Sequence, residues 1–266
     1  MDIEALAQRT MLVTLNKGSF RAIRQHRAET EAVNDRHHTT GVAKVGVKFC
    51  DHRALRDIEK VHNAAYAIHK KLTVPSIQDG FRMLVAGSEF KHSGAMQDFK
   101  RQHDALRDEF ILDYPTEKAN APARMNGLYD ATMWPDDVSD RFHFATSYLP
   151  CPSHGAWATW LHESARAATA ELKEQLTKAI QHVAARCKAS ADSRLYQSTF
   201  SNLAELVDLI PGLNLADDPI INAMAEKARS LGSLAAEDIK ASESARNHAI
   251  NHAEGILGVF GTSLAA

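Results

Sequence analysis

Residues 153–188, SHGAWATWLHESARAATAELKEQLTKAIQHVAARCK, decide the fold class of this chain. Small and apolar side chains recur there at spacings of three and four, which is the period of one face of an α-helix. The stripe consists of Leu161, Ala165, Ala168, Leu172, Leu176, Ala179, Val183 and Cys187. A helix of about 35 residues reaches roughly 50 Å, a length typical of a coiled-coil hairpin or an extended bundle. We therefore predict a mainly α fold of long antiparallel helices, a coiled-coil-like bundle with a small β element of short strands.

Composition supports a folded, helix-rich protein. The chain has 266 residues, of which 44% are hydrophobic and 7% aromatic, so it can bury one large core or two modest ones. No apolar run approaches the roughly 18 residues that a membrane span needs, and the segment MDIEALAQRT lacks the features of a signal peptide. Three cysteines without a CxxC motif indicate reduced thiols. We expect a cytoplasmic protein without a membrane partner.

The rest of the chain alternates short strands with helices. Four segments are predicted as strands or extended connectors: MLVTL at 11–15, VAKVGVKF at 42–49, FRMLVAG at 81–87 and RFHFATSYLP at 141–150. Helices are predicted at about 19–38, from Asp51 to Leu72, from about residue 88 to a stop at Pro115, at about 194–210, from Asp218-Pro219 onward, and from Ala235 to Leu257. We expect two regions, residues 1–150 with the short strands and a basic N-terminal helix, and residues 151–266 with the long helix and the C-terminal helices, or one continuous domain.

Basic residues near the N-terminus form the clearest candidate binding surface. Residues 1–75 carry a net charge of +5 and residues 191–266 a net charge of −5. In the predicted helix at 19–38 the spacing of the cations indicates a basic stripe, which the following segment extends. The candidate nucleic-acid-binding residues are Lys17, Arg21, Arg24, Arg27, Lys44 and Lys48. Such a stripe could contact phosphates without reading sequence, although solvated charge is the commoner explanation.

Several histidines have spacings that could suit a metal or catalysis. His248 and His252 lie four apart on a predicted helix, but Ala249 stands where a HExxH motif would have glutamate. Cys151 and His154 form half of a tetrahedral site without a matching half. We interpret both pairs as ordinary surface or packing positions, and predict no metal and no cofactor.

Catalytic signatures are missing from the sequence. GxxxxGK[ST], GxGxxG after a strand and GxSxG do not occur, so nucleotide hydrolysis, dinucleotide redox chemistry and a nucleophile elbow lose their usual support. His62, His69 and His103 lie in or beside apolar helix stripes, where a buried, hydrogen-bonded histidine is the common explanation. We predict no catalytic residues and a protein that is not an enzyme.

Several landmarks carry a family resemblance. The segments MLVTLNKGSF, ILDYP at 111–115, YLPCPS at 148–153 and LNLADDPIINAM at 213–224, in order with the long helices, resemble a family of bacterial and phage proteins of unknown function. The resemblance covers about residues 11–257. It implies a phage or mobile-element setting, where genes for AAA-type ATPases and von Willebrand A-type proteins sometimes lie nearby, and it brings no catalytic residues.

Two function classes follow. The first is a non-enzymatic helical interaction or scaffold protein of a phage or mobile element, which forms a homo-oligomer or binds a host or phage protein. The second is a protein that binds single- or double-stranded DNA through the basic N-terminal helix. Because the ends of the chain have opposite charge, the polarity can attract either an anionic partner or a second subunit.

Overall fold

The computed structural model describes residues 2–76, 79–189 and 195–261. Nine α-helices lie within these ranges: α1 (Ile3–Gln8), α2 (Arg27–Arg36), α3 (Arg53–Leu72), α4 (Glu89–Met125), α5 (Ala156–Lys188), α6 (Gln197–Leu213), α7 (Pro219–Gly232), α8 (Ala236–Ala241) and α9 (Glu243–Gly261). Six short strands accompany them: β1 (Thr10–Gly18), β2 (Ile23–Gln25), β3 (Gly46–Lys48), β4 (Val74–Pro75), β5 (Arg82–Val85) and β6 (His143–Pro150). The predicted mainly α class with a small β element is confirmed.

Contacts group the chain into two compact units whose segments alternate along the sequence. Unit 1 comprises residues 1–14, 70–90 and 148–266, and unit 2 comprises residues 15–69 and 91–147. The sequence suggested a single boundary near residue 150. One boundary of the units lies close to that position, but unit 1 also takes in two segments from the N-terminal region.

Unit 1 is built around α5, which confirms the predicted long helix. Leu161, Leu172, Leu176 and Val183 are at most 3% exposed, because the period of three and four places them on one buried face. Helices α6, α7 and α9 pack with α5 around the same core. At the start of α7, the Asp218 carboxylate accepts from the backbone N–H of Ile220 at 2.8 Å, as the acidic cap before a first-turn proline predicted.

Strands β4, β5, β1 and β6 form one sheet in that order. Strand β1 pairs antiparallel with β5 in the register Thr10 to Val85 and Val13 to Arg82, and β4 pairs antiparallel with β5. Three of the predicted strand segments therefore form strands, and the fourth contributes β3. Their β-branched and apolar residues suit a sheet with one buried face.

The helix predicted at 19–38 is wrong. Residues 23–25 form β2, which pairs antiparallel with β3, and α2 begins only at Arg27. The imidazole Nδ1 of His26 accepts from the backbone N–H of Glu29 at 3.3 Å, so His26 caps a shorter helix. Pairing with a strand more than 20 residues away thus overrides the local helical preference.

The predicted stop at Pro115 is also wrong, because α4 continues through Pro115 and Pro122 to Met125. A proline inside a helix removes one N–H donor and usually breaks the helix. Phe110, Tyr114 and Ala121 are at most 4% exposed in an aromatic core of unit 2 that also contains Phe20, Phe49 and Trp134. Burial of Phe110 and Tyr114 before Pro115, and of Ala121 after it, stabilises the helix that local preference would end.

Candidate functional site

Unit 2 contains a groove of about 680 Å³, which we call the unit 2 groove. Residues 19–23 form one wall, β3 with the segment up to His52 forms the second, and the first half of α3 forms the third. The lining residues are Ser19, Phe20, Arg21, Ala22, Ile23, Lys48, Cys50, Asp51, His52, Leu55, Arg56, Glu59 and His62. Apolar side chains with a few charged groups are typical of ligand sites in proteins.

Three cations line this groove, and one carboxylate holds two of them. Asp51 forms ion pairs with Lys48 at 2.7 Å and with Arg56. Hydrogen bonds from Lys48 and then from Arg56 hold the pKa of Asp51 below its usual value. Arg21 has no ion-pair partner among residues 2–76, 79–189 and 195–261. Glu59 contributes the second acidic group, so the lining carries a small positive excess.

The side chains of His52 and Cys50 in the groove contact carboxylates of α4. His52 Nε2 lies 3.2 Å from the Asp113 carboxylate, and its Nδ1 accepts from the backbone N–H of Ala54 at 3.2 Å. Both ring nitrogens are therefore occupied. Burial, with the Glu117 carboxylate adding to it, raises the pKa of the Cys50 thiol to about 11, so near neutral pH it stays protonated and is a poor nucleophile.

His62 at the end of the groove belongs to one of two buried histidine pairs. His62 Nε2 lies 3.0 Å from His103 Nδ1, and His69 Nδ1 lies 2.9 Å from His92 Nε2. The ring centroids are 5.0 and 5.2 Å apart, with angles of 16° and 62° between the ring planes of the two pairs. All four side chains are at most 6% exposed. The prediction of buried, hydrogen-bonded histidines is confirmed for His62, His69 and His103, and His92 is an addition.

The six predicted basic residues do not form one stripe. Only Arg21 and Lys48 line the unit 2 groove. Arg24 donates to the Thr132 carbonyl at 3.2 Å and lies over the Phe49 ring. Lys17 in β1 lies over the Tyr66 ring, with Nζ 5.8 Å from its centroid, while Arg27 and Lys44 are exposed outside the groove. The helical arrangement proposed for these cations is therefore wrong, because the first part of the predicted helix is replaced by β2 and loops.

Two side chains at this surface were not predicted from the sequence. Arg56 supplies the third cation, and Tyr66 lies on the α3 face of Glu59 and His62 with 49% of its surface exposed. The sequence contained a signal for Tyr66, because positions 59, 62 and 66 share one face of a helix. It could not be recognised without knowing that residues 17–23 and β3 come to lie beside that face.

The two metal-like pairs lie at ordinary positions. The rings of His248 and His252 are 6.3 Å apart on α9, and Glu254 forms an ion pair with Lys188 of α5. Cys151 is buried, and burial raises the pKa of its thiol, whereas His154 is exposed beside it in sequence. Within the described ranges, no three His, Cys, Asp or Glu side chains are placed to hold a metal ion.

Unit 1 has a different surface feature, an exposed tryptophan at the start of its longest helix. Trp157 is 40% exposed and packs edge-on against Trp160 with ring centroids 5.3 Å apart. The indole N–H of Trp160 is buried and has no hydrogen-bond partner in the described chain. Leu149, at the other end of the β6–α5 connection, is 44% exposed. Phe90 in the first turn of α4 is 90% exposed.

Comparison of the chain with protein-family models, with curated proteins and with solved structures found no match. The resemblance to a bacterial and phage family stays a prediction. None of the described helices combines the length and apolar character needed to span a bilayer.

Proposed function

We propose that this protein is a non-enzymatic interaction protein that self-associates through the Trp157 surface of unit 1, in the phage or mobile-element setting that the family resemblance implies. The observation that carries the proposal is the exposed Trp157 ring, which packs edge-on against the partly buried Trp160. Tryptophan is enriched among the residues that dominate binding energy, because a large rigid ring buries much surface at little entropic cost.

A second exposed apolar side chain lies near Trp157 in the sequence. Leu149 lies close in sequence on the other side of the Pro150–Gly155 connection, and both side chains keep at least 40% of their surface exposed. Burying the exposed part of two such side chains would contribute a few kcal/mol, at about 25 cal/mol per Å² of apolar area. A second copy of the chain brings the same surface, so a two-fold contact is possible without any other component.

The charge distribution of the chain also suits contact with a second copy. Residues 1–75 carry +5 and residues 191–266 carry −5, so the opposite regions of neighbouring chains attract one another. Such attraction depends on salt, because exposed charges more than about 10 Å apart are screened at 0.1 M ionic strength. The apolar contact would depend on salt much less.

Mass measurement across a range of concentrations tests the proposal. Sedimentation velocity or light scattering of the wild type should show particles heavier than the 29.3 kDa chain. Trp157→Ser should shift the population to the single chain, while the circular dichroism spectrum stays unchanged. Val259→Ser is the matched control, since Val259 is an exposed apolar residue of the same unit, 55% exposed on α9, outside the proposed surface.

A wild type that stays a single chain up to roughly 100 μM, a concentration well above the Kd of a stable dimer, would overturn self-association. An oligomer that persists in Trp157→Ser, or that is lost equally in Val259→Ser, would refute this surface as its interface.

A further inference from the structure

We propose that the unit 2 groove binds single-stranded nucleic acid, with the phosphates on its cations and an unstacked base on Tyr66. This function is independent of self-association through unit 1. It rests on the contacts that replace the basic helix predicted from the sequence.

Tyr66 lies one helical turn beyond the groove, on the side of α3 that lines it. Glu59 and His62 line the groove, and Tyr66 lies on the same face one turn further on. Lys17 lies over the Tyr66 ring and is also close enough to His62 to lower the pKa of that imidazole. Lys17 therefore places a cation beside the aromatic ring, and a phosphate bound there would place a base within reach of Tyr66.

The charges of the groove suit phosphodiesters. The Arg21 guanidinium, which has no ion-pair partner in the part of the chain that the structure describes, can hold two phosphate oxygens at once. Lys48 and Arg56 share the carboxylate of Asp51, and the side chains of these residues are each at least 50% exposed. Exposed ion pairs are weak, so a phosphate can replace Asp51 as the partner of either cation. Asp51 and Glu59 lower the positive excess, which predicts binding of modest affinity that is sensitive to salt.

The shape favours a single strand over a duplex. Reading a duplex requires a helix or a long ribbon that enters a groove of DNA. Here β2 and β3 are three residues long, and the cations surround a concavity. A cationic groove that follows a backbone beside an aromatic ring for base stacking is the arrangement of proteins that bind single strands.

Fluorescence anisotropy with a labelled single-stranded oligothymidine, a duplex of equal length and thymidine monophosphate tests the proposal. The wild type should bind the single strand more tightly than the duplex or the mononucleotide. Affinity should fall between about 50 and 200 mM salt with a log–log slope of about −2 to −3, which corresponds to three or four phosphate contacts at −0.7 each.

Two variants separate the phosphate contacts from the stacking contact. The double variant Arg21→Gln/Arg56→Gln should bind more weakly and flatten the slope by about 1.4. Tyr66→Ala should weaken binding about tenfold, a typical loss for one stacked base, and leave the slope unchanged.

Arg27→Gln is the matched control, because Arg27 belongs to the basic residues found in the sequence but lies outside the groove. It should bind like the wild type. Loss of binding in Arg27→Gln equal to that in the double variant would overturn the assignment to the groove. No binding of the single strand at low salt, or equal or tighter binding of the duplex or mononucleotide, would overturn the proposal itself.

A final control separates this proposal from self-association. Trp157→Ser leaves unit 2 intact and should bind the oligonucleotide with the affinity of each wild-type chain. If the oligonucleotide does not bind, the measured oligomer mass still tests self-association. If the wild type is a single chain, the binding measurement still tests the unit 2 groove. The two proposals can therefore fail separately.

Discussion

The Nε2 atom of His62 and the Nδ1 atom of His103 lie 3.0 Å apart in a buried hydrogen bond between two neutral imidazoles. Burial, and to a lesser degree the nearby charges of His103, Lys17 and His143, lowers the pKa of His62 to about 4. Burial also lowers the pKa of His103, where the Asp104 carboxylate opposes the effect, and Arg107 and Lys100 add to it. Unit 2 therefore holds this pair in the uncharged form.

Acid should destabilise unit 2. In the unfolded chain His62 gains a proton near pH 6.5, whereas in the folded chain it does so only near pH 4. The free energy of unfolding should therefore fall as the pH drops from 6.5 to 4, by about 3 kcal/mol for His62 at 1.36 kcal/mol per pKa unit. Trp134, which is buried in unit 2, reports this by fluorescence during urea unfolding of a Trp157→Phe/Trp160→Phe chain.

A double variant tests the origin of the acid effect. His62→Leu/His103→Leu removes both members of the pair and leaves no unpaired partner, so stability at pH 7 should change little. Its loss of stability between pH 6.5 and 4 should be smaller than that of the parent by the contribution of the pair. An equal loss in both chains would show that the pair does not cause the effect.

The buried face of α5 should not tolerate charge. Leu172 is 3% exposed in the core of unit 1, so Leu172→Asp removes apolar contacts and buries a carboxylate without a partner. The expected cost is more than about 3 kcal/mol. Ala167→Asp adds the same charge to an exposed position of α5 and should cost less than about 1 kcal/mol. Similar melting temperatures for the two variants would contradict the assigned faces of the helix.

Two helical glycines should respond to alanine in opposite directions. A Cβ atom on Gly232 would lie 2.9 Å from the backbone N and Cα of Ala204, so Gly232→Ala must push α6 and α7 apart at a cost of about 1–3 kcal/mol. Gly255 in α9 has open space around it, and Gly255→Ala should stabilise the chain by about 0.4–1 kcal/mol. Thermal unfolding measures the sign of the stability change in each variant. A stabilising Gly232→Ala would disprove the close approach of Gly232 to the Ala204 backbone.

Asp218 combines a helix cap with an ion pair. Burial raises its pKa, but hydrogen bonds from Lys173 and from the backbone N–H groups of Ile220 and Ile221 outweigh this and leave the pKa below its usual value. Asp218→Ala removes the cap and the ion pair and should cost about 1–2 kcal/mol, whereas Asp218→Asn keeps a capping oxygen and should cost roughly half as much. Denaturant unfolding that ranks the two variants in the reverse order would show that the cap contributes little.

Elements with a long, regular pattern could be predicted from the sequence. The stripe of α5 repeats over about seven turns, from Leu161 to Cys187, and β1 and β6 have enough alternating or β-branched residues to be recognised. Strand β2 has only three residues, and its partner β3 lies more than 20 residues further on, so no local period marks it. The passage of α4 through Pro115 depends on the burial of Phe110 and Tyr114, which no local rule contains.

The candidate site was predictable only in part, for the same reason. Arg21 and Lys48 could be chosen from a cluster of positive charge, but Arg24 turns to the Thr132 carbonyl, more than 100 residues away in the chain. Arg56 and Tyr66 belong to the candidate binding surface only because other segments of the chain fold beside α3. A stripe inferred on a single helix cannot describe a groove whose walls come from three parts of the chain.

Because segments of the two units alternate along the chain, one unit is fully synthesised before the other. Every residue of unit 2 has been made when residue 147 is added, whereas the core of unit 1 joins Leu12, Val74 and Met83 to helices that begin after residue 148. At about 5–20 residues per second, the ribosome needs roughly 5–25 s to add those helices. The nascent chain therefore carries the apolar segments 10–14 and 81–85 without their covering helices for that time, and a chain that stops near residue 150 retains them permanently uncovered.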